Sequence, residues 1–255
     1  PYSACWLPPA PAAPRANTPY ETALAELATV REITVETPEG EGDWYAIERT
    51  GGSYRLRGGA KGVLYGAYQY IMARAAGEEI ETGRREPAFS LRMIDHWDNM
   101  TGDVERGYSG RSLFFRDNDF HYDEARLRAY ARLLASIGVN AIAVNNVNVH
   151  PPADRLVTEE WLPKVAALAD LFRPYGVRLL LSVDFALPVT LGLDTADPLD
   201  QRVQAFWRNQ TALVYKSIPD LCGYLVKADS EFRPGPNKYG RDHAQGANLL
   251  ARALK

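Results

Sequence analysis

From Phe89 onward the chain alternates short apolar runs with amphipathic stretches of helical period, and this alternation constrains the fold more than any other feature. Such an order is the pattern of βα units that feed a parallel sheet. Four units can be counted. Their strands are expected at 90–96, 141–145, 177–184 and 223–227, with helices at 123–137, 159–175, 201–217 and 244–254. Gly138, Gly176 and Pro219 follow the first three helices, where a left-handed residue or a proline ends a helix. Before these units, residues 7–16 are rich in Pro and Ala and read as extended chain or loop. A helix is expected after Thr18, with Pro19 at its first position and Leu24 and Leu27 on one face. Strand-like runs follow at 33–35, 44–47 and 54–56, separated by Gly-rich turns, and then a helix over 61–76 striped by Val63, Leu64, Tyr68, Ile71 and Met72. The fold class is α/β. A small N-terminal α/β domain over 1–88 precedes a partial βα barrel over 89–255.

Polar residues collect at one end of these units. Asp95, His96, Trp97, Asp98 and Asn99 close the first strand, and Asn145, Asn146 and Asn148 close the second. Asp184 closes the third; Lys227, Asp229, Ser230 and Glu231 close the fourth. The C-terminal ends of parallel strands are where a βα barrel places its active site, because the βα loops converge there. Any one such residue could equally cap a strand or helix terminus. Four strands in succession favour a site.

Composition excludes several classes of function. A formal net charge of -3 leaves no global positive field for a polyanion, so nucleic acid is not an expected partner. No apolar run is long enough to cross a bilayer, and no membrane partner is expected. The chain begins at Pro1 with no basic-then-apolar leader, so its start reads as processed, trimmed or incomplete, and cytoplasmic and secreted locations both stay open. Cys5 and Cys222 belong to no CxxC or Cys/His cluster, and the four histidines lack metal spacing. Neither metal nor cofactor is expected. Dinucleotide, nucleotide and serine-hydrolase motifs are absent.

Among the strand-end residues, Glu231 lies beside Arg233 and a stiff Pro234-Gly235-Pro236 segment, which would hold a carboxyl at a cleft rim. It could act as a general acid, or it could be a surface carboxylate paired to Arg233. Lys227 would direct its ammonium toward an anion if it faces inward; otherwise it snorkels to solvent. Trp97, flanked by polar groups, has the composition of a sugar subsite, although a tryptophan at a strand end is more often core. The asparagines could simply order a loop through backbone capping.

These residues stand in segments that resemble glycoside hydrolase family 67, the α-glucuronidases. The similarity is carried by HWDNMTGDVERGYSGRSLFF (residues 96–115), GVNAIAVNNVNV (138–149), LADLFRPYGVRLLLSVDFALP (168–188), LDTADPLD (193–200) and, above all, LVKADSEFRPGP with YGRDHAQGANLLARAL (225–254). The start matches only loosely, through Tyr2 and Trp6-Leu7. The resemblance implies a small N-terminal α/β domain, a (β/α)8 TIM barrel of which this chain carries the first four units, and a C-terminal helical region beyond them. It also implies hydrolysis, with inversion, of the α-1,2 bond between 4-O-methylglucuronic acid and xylose in xylooligosaccharides.

By the same resemblance, Glu231 is the general acid, Lys227 binds the uronic carboxylate, and Trp97 packs against the sugar. Asp98, Asn99, Asn146 and Asp184 belong to the substrate-binding wall. Partners would be glucuronoxylan-derived oligosaccharides, with a homodimer open to the full-length enzyme. In the family the base carboxylates come from later barrel strands, which lie outside these residues. Asp95 and Asp184 stand where the family more often has Asn, adding negative charge near a site for an anionic sugar. The alternative is a non-catalytic carbohydrate-binding or assembly half-barrel that needs a second chain.

Overall fold

The structure, a computed structural model, describes residues 7–9 and 16–255. Tyr2, Cys5, Trp6 and most of the Pro/Ala-rich stretch lie outside the described residues. In chain order the elements are α1 (Pro19–Glu26), β1 (Ile33–Val35), β2 (Tyr45–Thr50), β3 (Ser53–Gly58), α2 (Gly62–Ala76), β4 (Gly83–Arg85), β5 (Met93–Asp95), β6 (Phe115–Arg116) and β7 (Asp119–Phe120). Then come α3 (Glu124–Ser136), β8 (Ala141–Ala143), α4 (Leu162–Phe172), β9 (Arg178–Asp184), α5 (Leu187–Thr190), α6 (Gln201–Ser217), β10 (Gly223–Lys227) and α7 (His243–Ala253). The chain forms two compact units. The first holds residues up to Met93 with Asp123–Ala141 and Asp170–Val177; the second holds Ile94–Tyr122, Ile142–Ala169 and Arg178–Lys255.

The first unit is a four-stranded sheet in the order β1-β3-β2-β4, with β1 parallel to β3 and the other pairs antiparallel. Gly51, at φ 62, turns the β2–β3 hairpin. β4 has no counterpart among the expected strands because Gly83-Arg84-Arg85 is exposed throughout and has no apolar period. Helix α2 lies so close to the sheet that a Cβ on Gly62 would overlap the Trp44 carbonyl oxygen, and one on Gly66 would meet the Tyr45 ring and Leu56. Val63, Leu64, Tyr68 and Ile71 of the expected stripe are buried with Ile47, Leu56 and Leu27 in one core.

In α1, Thr18 caps the N-terminus by accepting from the Glu21 amide, as its sequence suggests. Leu24 corrects the expected face: it is exposed, whereas Thr22, Ala23 and Leu27 are buried. Successive helical residues are turned by about 100°, so a buried face centred on Ala23 and reaching back to Thr22 leaves Leu24 at its solvent flank. Glu26 on the same helix receives Arg132 of α3 in a two-pronged pair at 2.6 and 2.8 Å, both side chains 5% exposed.

The second unit carries the sheet β10-β9-β8-β5. β9 and β10 run parallel, in register from Leu180 opposite Gly223 to Asp184 opposite Lys227. The sheet is open, with β10 and β5 as its edges; no closed barrel is formed by the described residues. Helix α6 starts at the Asp200 cap, and α7 starts at a capping box in which Asp242 and Gln245 satisfy each other's backbone amides. The expected first strand shrinks to Met93–Asp95, and its long connection folds into a hairpin, β6–β7, whose turn residues Asp117 and Asn118 sit at φ 56 and 62. Two consecutive left-handed residues make the turn that matches strand twist, and Asp and Asn tolerate it.

Candidate active site at the strand ends

The candidate side chains all lie in the second unit, at the ends of β5, β8, β9 and β10 and on the loops that follow them. Asp98 is buried, although it is charged by nature. Its carboxylate accepts from Ser112 Oγ at 2.6 Å and the Leu113 amide at 2.8 Å, which folds the 99–113 loop back on its own start. Burial pushes its carboxyl above the usual range, while those two donors and the neighbouring His96 pull it back. His96 is depressed by burial, with Asp98 opposing, and its Nδ1 meets the Ala143 carbonyl at 2.9 Å.

The next residues form a relay of amides. Asn99 Nδ2 donates to the Glu105 carbonyl at 2.6 Å, and its Oδ1 accepts from Asn146 Nδ2 at 2.9 Å. Asn146 Oδ1 accepts from the Asn148 amide at 2.9 Å. Asn148 Oδ1, in turn, accepts from Lys227 Nζ at 2.6 Å. Asn145 is used differently: it exchanges hydrogen bonds with Ser182 in both directions, tying the end of β8 to β9. The asparagine-rich segment therefore orders its loop, and it also carries a polar line from the β5 loop to the last residue of β10.

Lys227 is 7% exposed, and its two hydrogen-bond partners are neutral, Asn148 Oδ1 and Ser230 Oγ at 3.3 Å. No carboxylate of the described residues lies within ion-pair distance of it. An ammonium has three protons to donate, so this one keeps a donor and a charge for a ligand. Trp97, 39% exposed, steadies its ring by donating Nε1 to Asp95 at 3.0 Å. The carboxylate of Asp95 is thereby used locally.

Asp184 is almost fully enclosed. It accepts from the Ala186 amide at 2.8 Å and pairs with Arg233 Nη1 at 3.1 Å. Burial raises its carboxyl, with Ala186, Arg233 and Lys227 pulling the other way. The extra charge noted in the sequence is thus met by Arg233. Glu231, in contrast, is half exposed and does not pair with Arg233. It faces Arg106, whose Nη2 stands 3.3 and 3.4 Å from its two oxygens. Sequence reasoning does not find Arg106 or Asp154. Asp154 is a buried carboxyl raised by desolvation, with Oδ1 lacking a hydrogen-bond partner and Arg233 acting on it electrostatically. A lone acid in a single 3-10 turn, Ala153–Arg155, offers no periodic signal; its burial is tertiary.

The strand ends therefore gather a half-exposed carboxyl facing Arg106, a buried ammonium with neutral hydrogen-bond partners, a half-open tryptophan and an amide wall. The model of the glycosyl hydrolase family 67 middle domain matches residues 72–255, well over half of the chain. The chain belongs to glycosyl hydrolase family 67. Among its relatives, alpha-glucuronidase A of Emericella nidulans is 46% identical over 226 residues, 86% of this chain and 26% of that protein. Alpha-glucuronidase A of Aspergillus tubingensis is 45% identical over 224 residues, 87% of this chain and again 26% of the relative. The family 67 chain thus spans about a quarter of the length of these curated relatives. Among solved structures, a GH20 exo-β-N-acetylglucosaminidase from Vibrio harveyi, an inactive mutant, superposes with TM-score 0.50 at 10% identity, over 94% of this chain and 49% of that one. At that identity the likeness concerns the fold alone.

Proposed function

We propose that this chain supplies part of the active site of an α-glucuronidase that releases (4-O-methyl)glucuronic acid from xylooligosaccharides by cleaving its α-1,2 bond to xylose with inversion. The observation that carries the proposal is the placement of Lys227 and Glu231. Four residues apart, they place a buried ammonium free of carboxylate partners and a solvent-reaching carboxyl on one strand end and its loop. A uronic acid needs the first for its carboxylate, and glycoside cleavage needs the second to protonate the leaving oxygen. Trp97 offers its face to the sugar ring, while Asp98, Asn99, Asn146 and Asp184 hold the wall behind it. The names of the family 67 relatives support the activity.

An inverting hydrolase also needs a base carboxylate on the opposite face of the sugar, roughly 6.5–9.5 Å from the acid with a water between. Asp98 and Asp184 are buried in hydrogen bonds of their own, so neither fits that role. We assign the base to the part of the relatives' length that this chain does not span. The four βα units are read in the same way as half of a (β/α)8 barrel, whose remaining strands would cover the open edges β5 and β10.

The test uses the protein expressed from its complete gene. Glu231→Gln should lower turnover of a natural aldouronic acid by about 100- to 10,000-fold, the range for losing a general acid. Proton NMR of the released sugar should show the β-anomer first. Near-normal turnover by the variant would overturn the assignment of the acid, and an initial α-anomer would overturn inversion.

A further inference from the structure

The loop that presents Glu231 is held from behind by a side chain with no part in the reaction as so far described. The Arg233 amide donates to the Ser230 carbonyl at 2.9 Å, closing a tight turn, and the two residues inside it, Glu231 and Phe232, have φ of 52 and 63. Consecutive left-handed residues define a type I′ turn, a shape usually supplied by Gly, Asn or Asp. Neither glutamate nor phenylalanine favours it. Phe232 is fully exposed and anchors nothing, and the contact of Glu231 to Arg106 is itself exposed. The turn therefore depends on a hold elsewhere.

Arg233 provides that hold. Its guanidinium forks inward, with Nη1 on the Asp184 carboxylate at 3.1 Å and Nη2 on the Val149 carbonyl at 2.7 Å. Both anchors are themselves fixed. Asp184 ends β9 and accepts from the Ala186 amide, and Val149, at φ 44, is tied by its amide to the Asn146 carbonyl at 3.0 Å. Asp154, buried with an oxygen unpartnered, adds a second negative charge that acts on the same guanidinium. One planar fork thus joins the acid's turn to the end of β9 and to the loop after β8, a geometry that an ammonium could not reproduce.

We infer that Arg233 is a positioning residue for the acid: through Asp184 and the Val149 carbonyl it fixes the left-handed turn that aims the Glu231 carboxyl at the leaving oxygen. This rests on the assignment of Glu231 as the general acid. It also gives Asp184 a use that its place in the sequence did not suggest, because its charge serves Arg233. Removing Arg233 alone would free the turn and leave a buried carboxylate without its partner. Removing both partners would free the turn and leave Asp154 alone without the guanidinium.

The experiment compares wild type, Glu231→Gln, Arg233→Ala, Arg233→Lys and the double variant Asp184→Asn/Arg233→Ala in the protein from its complete gene. Two substrates are used: an aldouronic acid, whose xylose leaves only when protonated, and a nitrophenyl α-glucuronide, whose leaving group departs without help. Arg233→Ala should lower kcat on the aldouronic acid about 100-fold, as expected when a reacting group is misplaced by about an ångström, and leave KM within about threefold. The nitrophenyl substrate should lose less than about threefold, as with Glu231→Gln. Arg233→Lys should show the same split to a smaller degree, and it carries the test if the alanine variant does not fold. The double variant should keep the kinetic split of Arg233→Ala while recovering part of the lost thermal stability. Equal losses on both substrates, or aldouronic acid turnover within about threefold of wild type, would overturn the positioning role. If Glu231→Gln itself turns over the aldouronic acid normally, the acid assignment fails first and takes the inference with it. A dead Glu231→Gln beside an active Arg233→Ala removes the inference alone.

Discussion

Replacing Lys227 with methionine removes a buried charge that no carboxylate of the described residues meets at ion-pair distance. The ammonium is 7% exposed and bonded to Asn148 Oδ1 at 2.6 Å and Ser230 Oγ at 3.3 Å, which leaves one of its three protons for a ligand. A hydrogen bond between charged groups contributes about 1.5–3 kcal/mol net. At about 1.4 kcal/mol per factor of ten, Lys227→Met should weaken binding of glucuronate by about 10- to 150-fold. Binding of neutral glucose should change little. Methionine fills most of the same volume without burying a charge, and that relief offsets the cost of leaving Asn148 Oδ1 without a donor, so the thermal midpoint should move only slightly. Isothermal titration of both sugars into the protein from its complete gene, with a melting curve of each variant, checks this. Equal loss for glucuronate and glucose would refute the carboxylate contact, and a collapse of stability would show that Lys227 serves the fold.

Two further outcomes concern buried charge. Arg132→Met strands the Glu26 carboxylate, which is enclosed and loses both prongs of its pair; urea unfolding should show a loss of about 3–5 kcal/mol, and a loss under about 1 kcal/mol would mean that the pair is not enclosed in solution. Asp154→Asn tests the sign of a shift caused first by desolvation. Because the folded carboxyl is raised above 3.8, the native state holds its proton longer than the unfolded chain, and wild type loses stability as pH rises through that window. The asparagine variant should therefore gain on wild type between acid and neutral pH, as read from melting curves across pH. A constant or shrinking gap would refute it.

Much of the site is legible in the sequence because buried strands and their polar ends leave a local pattern in the chain. Asp184 and Lys227 are the last residues of runs whose apolar content marks them as buried strands, and the observed β9 and β10 end on those two residues. Helix α6 begins and ends where its period predicts, and the expected glycines after α3 and the turn of helix following α4 sit at φ 76 and 69. Short, irregular or exposed pieces are less legible. β4 has no apolar period, the β6–β7 hairpin has two-residue strands, and Leu24 shows that propensity finds a helix more readily than its buried face.

What the sequence by itself determined is the alternation of strand and helix, the family, and which residues stand at the strand ends. Those depend on local period and turn chemistry, which act between near neighbours. Tertiary structure alone decided how the charges pair. Arg233 is two residues from Glu231 and 49 from Asp184 along the chain, yet its guanidinium turns to Asp184, and Arg106 reaches across to Glu231 from 125 residues away. The Arg233 pair forms where burial would make an unanswered Asp184 charge costly, whereas the exposed Arg106 pair follows only from which distant segments packing brings together.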